Sequence, residues 1–161
     1  MPRYIKKGNI SWINIIKPTA KDLQFLADEY NLHPIVLEEL VRPSARAKVE
    51  QFDSYLYFIY HLPIYDSQQK TSRRGEIDFI ITKDALISVS YERLEPVELF
   101  VDKLDRDNNY KETILGGTTA RLLYYLLDFC LSFAFRELKH IDDKIEMIRK
   151  NLFCNQEKQL L

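Results

Sequence analysis

The C-terminal quarter of the chain leaves the least room for alternative folds. After Gly117 there is no proline or glycine, and Leu127, Leu131, Ala134, Leu138, Ile141, Ile145, Ile148 and Leu152 follow one another in steps of four and three. That alternation is a heptad seam on one long helical region, the kind of stripe that packs against another helix. The residues before it carry strand signals. The chain therefore divides into an α/β domain over 1–115 and a helical extension over 116–161. The extension stays polar and helical to Leu161, with no globular sequence after it to pack against. This pattern predicts a piece cut from a longer protein. The most apolar window, Leu122–Phe135, is shorter than the ~20 residues of a membrane span and carries Asp128 in its middle, so it is expected to be a buried helix.

The first 115 residues alternate in type. Ile10–Lys17 reads as a strand that Pro18 ends. Thr19 is placed to cap a helix with Asp22 three residues on, and Leu23, Leu26, Ala27 and Tyr30 share one face. Pro34 opens a second short helix to Leu40, with Ile35, Leu37 and Leu40 expected inward and Glu38 and Glu39 outward or sideways. Lys48–Tyr65 is apolar on both alternating faces and reads as one central strand. Asp66–Gly75 reads as a polar excursion, and Glu76–Thr82 with Ala85–Tyr91 as a hairpin around Lys83-Asp84. Pro96 to about Asp107 reads as a helix with Val97, Phe100, Val101 and Leu104 inward.

Composition narrows the function classes. A net charge of −1 argues against nucleic-acid binding. Two distant cysteines, Cys130 and Cys154, suit a reducing compartment, and MPRYIKKGNI lacks the apolar run of a signal peptide. The three histidines are scattered without zinc spacing, His33 being expected to cap or pack and Cys130 to lie in a core. No activated nucleophile or phosphate loop is visible, so the chain is not expected to be an enzyme. Asp142, Asp143 and Glu146 alternate with Lys139, Lys144 and Arg149 as on an ordinary exposed helix face. Arg73 and Arg74 read as solvated loop residues.

The functional question sits in His33–Leu62, where adjacent carboxylates, Glu38 and Glu39, stand on a short helix before a basic turn and an aromatic strand. Paired carboxylates either face water or share a cation, and both readings stay open on the residues alone. Arg42, Arg46 and Lys48 suit either phosphate binding or neutralisation of Glu38, Glu39 and Glu50.

At HPIVLEEL…RAKVEQFDSYLYFIY the sequence resembles the CorA family of magnesium and cobalt transporters. The Trp12 strand, the turn after Asp66, EIDFIITKDALISVS and RLLYYLLDFCL follow in family order over nearly the whole chain. The resemblance implies a mixed β-sheet between helices in α/β/α layers, then long C-terminal helices toward a stalk and two membrane helices. It implies a cytoplasmic regulatory domain on the inner face of the cell membrane, in a homopentamer whose partners are the other subunits and the chain's own missing stalk and transmembrane helices. Carried over by position, the regulatory metal ligands are Glu39, Glu38 beside it, and Asp128. The ion would be Mg²⁺, bound weakly, or Co²⁺. It would bridge Glu39 and Asp128 to an acidic group of the next subunit. A hard cation that keeps several waters needs only one or two carboxylates per subunit. The sequence departs from the family at Glu39, often Asp there, and at Ala47, usually Pro, and it lacks the Gly-Met-Asn pore signature. Two rival readings are a zinc-transporting branch of the same family and a free-standing module that binds a partner through its heptad helix.

Overall fold

The structure, a computed structural model, describes residues 2–66 and 71–157. β1 (Arg3–Lys7) and β2 (Ile10–Ile16) form a hairpin turned at Gly8, whose φ of 57° favours glycine. α1 (Ala20–Tyr30) starts as the sequence indicates. Thr19 Oγ1 accepts from the Asp22 N–H at 3.3 Å while the Asp22 carboxylate accepts from the Thr19 N–H at 2.9 Å, a capping box. α2 (Pro34–Glu39) is capped by His33, whose Nδ1 accepts from the Ile35 N–H at 3.2 Å.

The stretch read as one central strand is two: β3 (Lys48–Gln51) and β4 (Leu56–Asp66), paired antiparallel. Phe52 donates its N–H to Tyr55 O at 2.9 Å and stacks on the Tyr55 ring at 4.7 Å, which reverses the chain. Because apolar residues run straight through the reversal, their alternation hid it. The polar excursion is corrected as well. β4 extends to Asp66 and β5 (Thr71–Ile81) begins at Thr71, so the two form a long arm in which exposed side chains ride on a complete backbone ladder. Residues 67–70 of that excursion lie outside the described residues. β6 (Ala85–Ser90) closes the expected hairpin with β5, its turn held by Thr82 Oγ1. α3 (Glu95–Arg106) buries Val97, Phe100, Val101 and Leu104 as expected. α4 (Asn108–Leu115), which the sequence did not suggest, begins where Asp107 Oδ1 accepts from the Tyr110 N–H at 2.9 Å.

The sheet is mixed, in the order β1-β2-β6-β5-β4-β3, and β2–β6 is its parallel pair. Helices cover both faces. Ile13, Ile15, Tyr57, Ile59, Ile80, Ile87 and Val89 face α1 and α2, whereas Trp12, Leu62, Ile77, Phe79 and Leu86 face α3, α4 and the next helix. These are the α/β/α layers that the resemblance implied. That next helix, α5 (Thr119–Glu157), is a single rod of 39 residues rather than several helices. Leu122, Leu126 and Cys130, one turn apart, dock it onto the core, each such burial contributing roughly 1–3 kcal/mol. Beyond Ala134 no described residue of α5 is fully buried. Leu138, Ile145, Ile148 and Leu152 of the heptad seam are exposed there.

Candidate functional site

α2 sits on the sheet through Val36 and Leu40, both fully buried. The sequence placed Ile35 inward; it is instead 48% exposed, because a helix starting at Pro34 turns positions 36 and 40 toward the sheet. This rotation leaves Glu38 exposed and Glu39 half-buried. Glu39 Oε1 accepts from Lys48 Nζ at 2.7 Å, and Lys48 reaches Glu50 at 3.1 Å, so the basic turn neutralises carboxylates through Lys48. Arg42 and Arg46 form no such ion pair among the described residues. The second oxygen, Glu39 Oε2, is buried and has no hydrogen-bond partner. Glu38 and Glu39 line a cavity of about 610 Å³ with Arg42 and Ser44. Two hard carboxylates, one with an unpartnered oxygen, suit a divalent cation that keeps part of its water shell.

Beneath α2 lies an acidic cluster that the sequence reading missed. Asp78 is fully buried, its Oδ2 accepting from the Tyr91 hydroxyl at 2.8 Å and from the Tyr57 hydroxyl at 3.2 Å. The Tyr91 hydroxyl also lies 3.2 Å from the Glu39 carbonyl oxygen, so one O–H is shared between the strand and α2. Asp78 Oδ1 has no partner. Burial pushes the Asp78 carboxyl up to about 7; the two tyrosine hydrogen bonds oppose the rise, while nearby Glu76 adds to it. Burial also raises both tyrosines, with the charge of Asp78 adding to it. Glu76 accepts from the Ser44 N–H at 2.7 Å and meets His61 Nε2 at 2.9 Å, which ties the basic turn to β5. The available signal was a pair of acids two apart, Glu76 and Asp78, in the half of β5 after Gly75 that is otherwise apolar on both faces.

Asp128 is exposed on α5, in the opposite layer from α2, close enough to Tyr110 to help raise its hydroxyl after burial and Tyr125. Within one chain the sheet therefore stands between Asp128 and the Glu38–Glu39 pair. Among the described residues no group of three or more His, Cys, Asp and Glu is arranged to hold a metal. His33 and His61 are engaged as described, Cys130 is buried, and the side chains of His140 and Cys154 lie outside the described residues. Arg73 and Arg74 are not merely solvated: Arg73 pairs with Glu92, and Arg74 donates to Ala45 O at 2.9 Å.

This architecture is that of the soluble domain of a CorA-type transport protein. The soluble domain of CorA from Methanocaldococcus jannaschii superposes on 91% of the chain with a TM-score of 0.75 at 15% identity, 56% of that chain being covered. The family model of the CorA-like Mg2+ transporter protein matches residues 7–161, and the chain belongs to that family. The cobalt/magnesium transport protein CorA of Thermotoga maritima is 26% identical over 151 residues, 92% of this chain but 42% of the relative, so the chain spans less than half of that relative's length. The ZntB cytoplasmic domain from Vibrio parahaemolyticus superposes with a TM-score of 0.65 at 14% identity, over 86% of this chain and 54% of that one. No helix among the described residues is long and apolar enough to cross a membrane.

Proposed function

We propose that the chain is the cation-sensing, gating portion of a CorA-like divalent metal transporter, working at the cytoplasmic face of the membrane and without catalytic activity. The observation that carries this reading is the buried, unpartnered Oε2 of Glu39 beside the exposed Glu38. A carboxylate oxygen sealed from water without a donor is costly, and positive charge held in the adjoining cavity by the Glu38–Glu39 pair would offset that cost. Glu38 and Glu39 would hold Mg²⁺ or Co²⁺ from one side. The ion supplies positive charge that offsets repulsion between acidic faces of neighbouring subunits in a pentamer. When it leaves, open arrangements of the ring gain population.

Glu39→Ala in the full-length protein is expected to weaken magnesium-dependent closure, measured as inhibition of ion flux into liposomes. Unchanged inhibition would sink the proposal. The likeness to the ZntB cytoplasmic domain favours a second reading, a zinc-transporting branch. Both histidines with described side chains are already hydrogen-bonded, which weakens it. Ion-selective flux of the intact protein separates the two.

A further inference from the structure

The parallel pair β2–β6 marks a place where the connections of the sheet part. β2 feeds α1, which packs on the face of Ile13 and Ile87; β6 feeds α3, which packs on the face of Trp12 and Phe79. With the following helices leaving to opposite sides, a crevice opens at the carboxyl ends of the two strands, where open α/β sheets take ligands. A cavity of about 700 Å³ occupies it, within the range of small-molecule sites.

The floor of that cavity carries spare donors. Trp12 Nε1–H donates to Ser88 Oγ at 2.9 Å, and because indole nitrogen only donates, the Ser88 hydroxyl hydrogen goes on to Asn14 Oδ1 at 2.9 Å. This chain fixes the orientation of the Asn14 amide and turns its NH₂ away from Ser88. Asn14 is only 4% exposed, lines the cavity, and its Nδ2 has no protein acceptor. That amide nitrogen is not sealed from solvent, so it is free to donate to a ligand or water oxygen in the cavity.

The rim adds charge. Lys17 and Arg93 have no ion pair among the described residues, whereas Arg3 and Glu92 beside them are engaged by Asp105 and Arg73. Glu98 is half-buried without a basic partner and offers acceptors. Lys17 also holds φ at 54°, a conformation that favours glycine, with its N–H donating to Ser90 O at 2.7 Å. Lys17 thus lines the crevice from a backbone conformation that carries a cost, as is common at functional sites. Two free cations and one carboxylate do not suit a divalent metal, and they are too few for a polyanionic nucleic acid.

We propose that this crevice binds a small phosphomonoester bearing hydroxyl groups, its phosphate taken by Lys17, Arg93 and the Asn14 amide, and a hydroxyl donating to Glu98. Isothermal titration of the chain with inorganic phosphate, ribose 5-phosphate and AMP at fixed ionic strength tests it. The two esters are expected to bind saturably, at least about tenfold tighter than inorganic phosphate. No saturable binding of either ester at millimolar concentration, or equal binding of phosphate and esters, overturns the proposal. Lys17→Gly removes the ammonium while easing the positive φ. Its thermal midpoint is therefore expected to hold or rise while ester affinity falls about tenfold, and Arg93→Gln should lower affinity similarly. Undiminished ester affinity in both variants would show that the esters bind elsewhere and end the assignment.

Discussion

Glu39 is held by one oxygen and left without a partner at the other, and Lys48 is the group that holds it. Its ammonium sits 2.7 Å from Oε1, so any cation at the same carboxylate meets a like charge nearby. At ~4 Å in water that repulsion is about 1 kcal/mol, and the second positive charge of Mg²⁺ enlarges it. Lys48→Gln is thus expected to tighten magnesium binding roughly fivefold, read by titration calorimetry. Weaker binding in that variant would show that Lys48 shapes the site rather than opposing the ion. Asp78 gives a second test. Its ordinary value is 3.8 and its folded value about 7, so the folded state favours the neutral acid. Below about pH 4 the group is protonated in both states and costs nothing. As pH rises toward 7 the unfolded chain releases the proton first and stability falls, by on the order of 4 kcal/mol at most. Glu76, Tyr57 and Tyr91 face the same carboxyl, so the effect belongs to the cluster and is isolated by comparison. Asp78→Asn should be more stable than the parent at about pH 8 and similar at about pH 4, by urea midpoints. A difference that stays constant with pH would refute the assignment.

At the scale of the element, α5 is one helix with two unlike halves. The first is docked by Leu122, Leu126 and Cys130, and the second carries its heptad stripe unburied. Leu126→Ala should destabilise the chain by about 2–5 kcal/mol. Ile145→Ser, on the exposed half, should change stability by less than about 0.5 kcal/mol. Urea unfolding of the two variants separates a helix that belongs to the core from one that leaves it; equal losses would mean that the distal half is packed. The heptad periodicity was plain from the residues because nothing interrupts it, yet the fully buried docking positions lie beside the seam, of which only Leu127 and Ala134 pack on the core. Leu122, Leu126 and Cys130 follow the helical repeat toward the sheet, which only tertiary packing selects. Capping was legible for a related reason: Thr19 with Asp22, and His33 with Pro34, act through neighbours in sequence. The Phe52–Tyr55 reversal was not, because apolar residues continue through it. Nor was the Asp78 cluster, since Tyr57 reaches it from β4 and Tyr91 from just past the end of β6, and no local pattern records that convergence. The candidate cation site was legible only as far as Glu38 and Glu39; that Lys48 from β3 takes Oε1 while Oε2 stays buried and unpartnered is set by tertiary packing.

For the whole molecule, the decisive fact is that Glu39 and Asp128 lie in opposite layers. A contact that joins two different faces of identical chains is heterologous, and repeated with the right rotation it closes a ring. If the proposed ion is shared by these residues, it must therefore lie between chains, with Glu39 from one and Asp128 from the next. This predicts complementation. Glu39→Ala and Asp128→Ala, each made in the full-length protein, should both weaken magnesium-dependent inhibition of flux, because every interface then lacks one half of its site. Mixed in equal amounts before assembly, they should recover part of the response. An Asp128→Ala chain still offers Glu39 to the intact Asp128 of a Glu39→Ala neighbour, and random mixing restores about one quarter of the interfaces. The readout is the magnesium concentration for half-inhibition in liposomes. An unaltered response in either single variant would remove that residue from the site. Two impaired variants without recovery on mixing would mean that the carboxylates act within separate sites, each completed by a different partner group.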